Sequence, residues 1–331
     1  MRFVSVFGRA VLAALVVLFA ADMVVRDLPL TGERLSENFS PAFLDRTLAP
    51  ALTGKTVVLG DSVLWGWRVA PEQAAVSLLH RRGLRVANLA FQGGSPANTY
   101  AILRTLRDRS VRPSTVVFNV NEKQFNRSDP VFASLYPSVG EVTIHHLDVT
   151  DRVALNVTVL QGSDAQVDRA LRRVWLLYGL RADIREKIFG TTDLANALKA
   201  IVNRLSGEEA QVEAAHRPTS ERFLGTYDLT PLSRRNLQYS YLLKLAVLLE
   251  EQHIRSYAIL TPTNHGLLHD YIDVPDYEVN LRTVSTLLQR HGIRVLNYDA
   301  RFSPEEFIDN DHLTVKGNIH LASLLGADLA R

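Results

Sequence analysis

The chain has 331 residues, 47% of them hydrophobic and 22% charged, which is enough to bury the core of one globular domain with an elaboration. Its 37 basic and 35 acidic side chains leave a net charge of +2, which excludes the strong positive field of a nucleic-acid-binding protein. Cysteine is absent, which excludes a disulfide framework and a thiolate metal site, and no phosphate-cradling glycine loop implies a nucleotide cofactor.

In chain order, Phe3 to Val25 is almost wholly apolar, interrupted by Gly8-Arg9 and Asp22, with Arg2 and Arg9 on the amino side. A helix needs about 20 such residues to cross a bilayer. The positive flank predicts that the amino end stays in the cytoplasm while the rest is exported. Residues 1–25 therefore read as an uncleaved, single-pass signal anchor, with the remaining chain extracytoplasmic, on the periplasmic or cell-surface side. A cleaved signal with a site near Ala20-Ala21 is the alternative, weakened by Phe19 where a small residue is wanted, and a buried core helix is a third. Residues 26–54, with Pro29, Gly32, Pro41, Pro50 and Gly54, read as a tether.

From residue 55 onward the pattern alternates strand and helix. Strands are predicted at 56–59, 85–89, 115–119, 255–261 and 294–298. Helices are predicted from Pro71 to Gly83, Pro96 to Arg109, Leu232 to Gln252, Glu278 to Arg290 and Thr314 to Leu329. Such alternation implies a mainly parallel five-stranded sheet covered on both faces, a three-layer α/β/α sandwich. A strand order of 2-1-3-4-5 would put the end of the first strand at the topological switch point, where open α/β sheets bind ligands. An insert at about 124–230 breaks the rhythm, with a predicted strand pair around 141–160 and helices near 165–178 and 192–205. In the first of those helices Val167, Leu171, Val174, Trp175 and Tyr178 form an apolar face suited to core packing, with a lid or docking face as alternatives. Arg169, Arg172 and Arg173 on the same helix read as a solvated face. His145-His146 lacks the ligand spacing of a metal site.

Two stretches carry the chemistry. Val57-Val58-Leu59 is followed by Gly60-Asp61-Ser62, a serine on a sharp turn at a strand's carboxyl end. Far along the chain, Asp309-Asn310-Asp311-His312 puts a carboxylate three residues before a histidine. Together they supply a serine, a base and an orienting acid. Further on from Ser62 come Asn88 and Phe91-Gln92-Gly93-Gly94-Ser95, and then Asn119-Val120-Asn121-Glu122 at the end of the third strand.

In these blocks and their order the chain resembles the SGNH (GDSL-type) hydrolase superfamily, over about residues 55–125 and 230–329. The resemblance implies a flavodoxin-like SGNH fold, catalytic residues Ser62, Asp309 and His312, and an oxyanion hole built from Ser62, Gly93 and Asn121. Asp311 is the rival orienter to Asp309, and Gly94 the rival donor to Gly93; Asp61 reads as structural. The third block departs from the family's Gly-x-Asn-Asp, since Asn119 stands at the glycine and Glu122 at the aspartate. This keeps the asparagine donor but changes the local backbone. Trp65, with Trp67 beside it, and His265, in a loop after the fourth strand, are candidate substrate-binding residues against a packing role.

The chemistry implied is acyl transfer. His312, whose imidazole titrates near neutrality, would take the Ser62 proton. Asp309 would fix its tautomer, and the donors would hold the tetrahedral oxyanion. With the amino-terminal anchor, the resemblance extends in style to envelope members such as the protein of teichoic-acid D-alanylation. The expectation is an anchored serine esterase or O-acyltransferase acting on acyl, above all acetyl, esters of a cell-envelope or secreted polysaccharide. No metal or other cofactor is expected. Its expected partners are an acyl ester or acyl donor, a cell-surface glycan and a membrane acyltransferase. The rival readings are a non-catalytic accessory domain that binds a glycan or that acyltransferase, and a lipase or lysophospholipase.

Overall fold

A computed structural model of the chain describes residues 39–157 and 219–331 throughout, with scattered positions between 13 and 35 and between 167 and 183. Two compact units divide the chain. The smaller comprises Met1–Thr31, Asn38–Thr47 and Val159–Gln211, and the larger comprises Gly32–Glu37, Leu48–Thr158 and Val212–Arg331. In the smaller unit a helix at Pro41–Thr47 packs on a turn of helix at Leu176–Gly179, and the Ser40 N–H donates to Asp183 Oδ1 at 3.0 Å. The segment expected to be a tether is thus partly helical, with Pro41 at a first-turn position where its missing N–H is no loss.

The larger unit is built on five parallel strands, β1 (Thr56–Leu59), β2 (Val86–Asn88), β3 (Thr115–Val120), β4 (Arg255–Leu260) and β5 (Arg294–Asn297). They lie in the order β2-β1-β3-β4-β5, as expected. Val57, Val58, Leu59, Val116, Val117, Phe118, Tyr257, Ala258 and Ile259 are buried in the middle of the sheet. Strands buried on both faces read as unbroken apolar runs, which is why these short segments stand out in the sequence.

The helices of this unit are α1 (Ser62–Trp65), α2 (Ala75–Arg81), α3 (Pro96–Asp108), α4 (Pro137–Thr143), α5 (Val149–Ala154), α6 (Leu237–Glu251), α7 (His265–Ile272), α8 (Pro275–Arg290) and α9 (Val315–Leu329). One helical layer pairs α2 with α9; the other groups α3, α6 and α8, with α4 packed on α3. The result is the three-layer α/β arrangement.

Among the described residues, 141–157, the expected strand pair is not formed. α4, a 3-10 turn at Ile144–His146 and α5 occupy most of that stretch. Its β-branched residues favour strand locally. Burial of Val139, Ile144 and Leu147, in a segment packed against α3, decides for helix, while Val149 and Val153 remain exposed. α7 replaces an expected loop, started by Asn264, whose side chain accepts from the Leu267 N–H at 3.2 Å. The expected helix at 192–205, most of that at 165–178 and nearly all of the anchor at 1–25 lie outside the described residues. Among the described residues no helix is long and apolar enough to cross a membrane.

Candidate active site

β1 ends at Leu59, and Gly60 turns the chain with φ +139°. Asp61 then caps α1, its Oδ1 accepting from the Val63 N–H at 2.9 Å, so that Ser62 is the first residue of a one-turn helix. The backbone dipole there favours negative charge on or near the serine. Opposite, residues 306–314 form a tight loop closed by Ile308 N–H to the His312 carbonyl at 2.7 Å and Thr314 N–H to the Glu306 carbonyl at 2.9 Å. Inside the loop Asp309 accepts from the His312 backbone N–H at 2.9 Å, and both its oxygens lie 2.9 Å from His312 Nδ1. His312 Nε2 is 2.8 Å from Ser62 Oγ, so the three side chains form one hydrogen-bonded series. Burial works against charge on Asp309, but the hydrogen bonds and charge of His312 outweigh it and hold the carboxyl below its ordinary range. Trp67 packs on the imidazole, ring centroids 4.2 Å apart, and the Arg68 guanidinium lies 4.1 Å over Trp67.

Asn119 and Gln124, at the end of β3 and in the turn after it, have visible partners. Asn119 Oδ1 accepts from the Asp61 N–H at 3.0 Å, and its Nδ2 donates to Asp61 Oδ1 at 2.8 Å and Thr261 Oγ1 at 2.9 Å. It therefore pins the serine turn to β4. Gln124 adds a second staple, donating to Asp61 Oδ2 at 3.2 Å and to the Gly94 carbonyl at 3.0 Å while accepting from the Asn121 N–H at 3.1 Å. A Cβ on Gly94 would lie 2.0 Å from the Gly60 carbonyl, so this glycine permits the close approach of the two turns. Asn264 holds the far loop, its backbone N–H donating to the Asn310 carbonyl at 2.9 Å and its amide to the Asp309 carbonyl at 3.0 Å.

No protein-family model matches the chain, and no curated protein matches it. Among solved structures it is similar to a protein described as a lipolytic protein of the G-D-S-L family from Desulfitobacterium hafniense, at 11% identity and TM-score 0.40 over 83% of this chain and 99% of that one. It is also similar to a family two carbohydrate esterase from Clostridium thermocellum in complex with cellohexaose, at 12% identity and TM-score 0.34 over 84% of this chain and 64% of that one. An active-site mutant of a family two carbohydrate esterase from the same organism matches at 11% identity and TM-score 0.33, over 84% of this chain and 63% of that one.

The geometry brings Ser62, Asp309 and His312 together and places Asn121 beside them through the buried Asp311, to which its amide donates at 2.6 Å. Of the two glycines in the second block, Gly94 commits its N–H to the Phe91 carbonyl at 3.1 Å, whereas Gly93 has φ +73°. Trp65 is a correction. It is 5% exposed and its indole N–H donates to the Leu35 carbonyl at 2.7 Å, so it packs in the core instead of facing substrate. Trp67, two residues on, is the half-buried indole that meets His312.

His265 is engaged otherwise than expected. Its Nε2 lies 2.8 Å from Asp299 Oδ2 and its Nδ1 3.3 Å from Asp273 Oδ1. The Asp299 hydrogen bond, opposed by partial burial, raises its pKa. Tyr277 closes the group by donating to Asp299 Oδ1 at 2.6 Å. Glu122 is buried, and that burial pushes its carboxyl up to about 8 even though Asn280 donates to it at 2.8 Å. Sequence reasoning missed Lys123, Gln124 and Asn264. The first two directly follow the third block, and Asn264 stands between a strand end and a helix, the ordinary mark of a cap.

Proposed function

We propose that this chain is a serine esterase or O-acyltransferase that works through an acyl-enzyme on Ser62. The hydrogen-bonded series Ser62–His312–Asp309 is the observation that carries the reading. His312 Nε2 takes the Oγ proton as Oγ attacks the ester carbonyl carbon, and Asp309 steadies the resulting imidazolium through Nδ1. The developing oxyanion is met by the backbone N–H groups of Ser62 and Gly93 and by the Asn121 amide. Collapse breaks the bond to the leaving alcohol, which receives the proton from His312. Water or a second hydroxyl then attacks the acyl-enzyme with His312 again as base, releasing the acid or the new ester.

The substrate proposed is an acyl ester, above all an acetyl ester, of a cell-envelope or secreted polysaccharide. The half-buried Trp67 beside His312 supports a sugar ligand that displaces the exposed Arg68 guanidinium from over its ring, since pyranose faces stack on indole rings. The apolar run from Phe3 to Val25 supports an exported, membrane-anchored location.

A fluorophosphonate probe tests the chemistry. Folded wild-type protein is expected to be labelled at Ser62 and Ser62→Ala left unlabelled; an unlabelled wild type turns the reading to a non-catalytic binding domain. With acetyl donor and acceptor oligosaccharides present, mass spectrometry of the acetyl group separates transfer to sugar from release as acetate.

A further inference from the structure

Lys123 stands in the 3-10 turn that follows β3, next to the proposed oxyanion asparagine. Its side chain is 14% exposed and pairs with Asp311, which is wholly buried. Asp61 in the serine turn and Asp309 in the histidine loop also act on its charge. Burial works against its charge, but these carboxylates outweigh it and hold the ammonium above the ordinary lysine value. One buried cation thus serves three carboxylates from the two loops that present Ser62 and His312.

Asp311 is the reason this matters. Its Oδ2 accepts from the Asn121 amide at 2.6 Å and from Lys123. Its Oδ1 has no hydrogen-bond partner and lies 3.4 Å from His312 Nδ1. The imidazole therefore has two carboxylates at the same nitrogen, Asp309 at 2.9 Å and Asp311 behind it. One N–H cannot serve both, and an uncompensated second anion would favour the imidazolium. A histidine already protonated cannot take the serine proton. The other polar groups against this loop are Ser62, at Nε2, Asn264, which donates to the Asp309 and Asn310 carbonyls, and Tyr227, whose hydroxyl accepts from the Asn310 amide at 3.1 Å; the Trp67 ring covers the imidazole, with the Arg68 guanidinium over that ring. Neither Ser62 nor Tyr227 supplies a positive charge.

We propose that Lys123 is a positioning residue of the acyl-transfer site. By neutralising Asp311 it leaves Asp309 to set the basicity of His312, and by anchoring Asp311 it fixes the Asn121 amide. One amide hydrogen of Asn121 is held on Asp311, which directs the other. The inference rests on the esterase reading of Ser62.

The test uses the full chain in four forms: wild type, Lys123→Met, Asp311→Asn and the double variant. Two readouts are taken, the pH profile of kcat/KM on p-nitrophenyl acetate and the NMR titration midpoint of the His312 imidazole, assigned with His312→Gln. Lys123→Met is expected to move the acid limb and the midpoint upward by about one pH unit. It should also lower kcat by about 10²-fold through the misplaced amide. Asp311→Asn should move the limb and midpoint downward, and the double variant should return them toward wild type. Should Lys123→Met fail to fold, Asp311→Asn against the double variant decides, because removing the lysine there must raise the midpoint. A midpoint common to all folded forms overturns the proposal and makes Lys123 a packing residue. The NMR readout needs no turnover, so an inactive wild type would sink the esterase reading while this inference is still decided.

Discussion

Asp309 and Asp311 are the same residue type on one short loop, and position alone separates their work. Asp309 turns both oxygens to His312 Nδ1 and also accepts the backbone N–H of His312, whereas Asp311 spends one oxygen on Asn121 and Lys123. Asp309→Asn keeps the shape but can present its amide hydrogens to Nδ1 and stabilise the wrong tautomer. Its kcat on p-nitrophenyl acetate is expected to fall about 10³–10⁴-fold with little change in melting temperature. A loss of under tenfold would pass the orienting role to Asp311. At this scale the sequence was legible where spacing carries the message, as in Asp309 to His312. It was not legible for Trp65 and Trp67, since two indoles two residues apart look alike until one proves to be buried.

The turn leaving β3 shows what an element adds. Its 3-10 turn, Glu122–Phe125, gathers Asn121, Glu122, Lys123 and Gln124 against different neighbours. Glu122 lies 2% exposed, one oxygen on Asn280 and the other without a hydrogen-bond partner, so its proton is retained up to about pH 8. In the unfolded chain the same carboxyl titrates near 4.5. Between those values the folded state holds a proton that the unfolded state has released, so stability falls as pH rises through the window. The loss is on the order of 5 kcal/mol. Glu122→Gln should flatten that fall and be more stable than wild type at pH 8.5, but close to it at pH 4.5, in urea unfolding at the two pH values. Parallel curves for the two proteins would refute the buried neutral carboxyl. The same limit of local reading explains α4 and α5, where β-branched residues suggested strands and packing on α3 made helices.

For the larger unit as a whole, the strand order does most to build the site. β1 lies between β2 and β3, so the loops after β1 and β3 leave the sheet side by side, and Asn264 ties the histidine loop to the end of β4. The five strands were legible as apolar runs separated by helices and their order came with the flavodoxin-like fold that the resemblance implies; the contact between the helices was not legible. Asp151, buried in α5, accepts from Tyr100 of α3 at 3.1 Å and Tyr241 of α6 at 3.0 Å, and pairs with Lys244. It draws together three helices that are distant in sequence. Asp151→Leu strands two buried hydroxyls and should cost about 2–4 kcal/mol in urea unfolding. Fluorophosphonate labelling of Ser62 in the protein that remains folded should be unchanged, and slower labelling there would tie this layer to the chemistry.

Gly60 and Asn119 carry a consequence for how such chains are recognised. A Cβ at position 60 would fall 1.8 Å from the Asn119 side-chain oxygen, so the two residues occupy one shared space. A side chain at position 60 would therefore need a smaller residue at 119 as well as a different turn. A pattern that demands glycine at position 119 passes over this chain, in which an asparagine amide secures the serine turn. Read as a coupled pair, the two positions follow the space that their residues share.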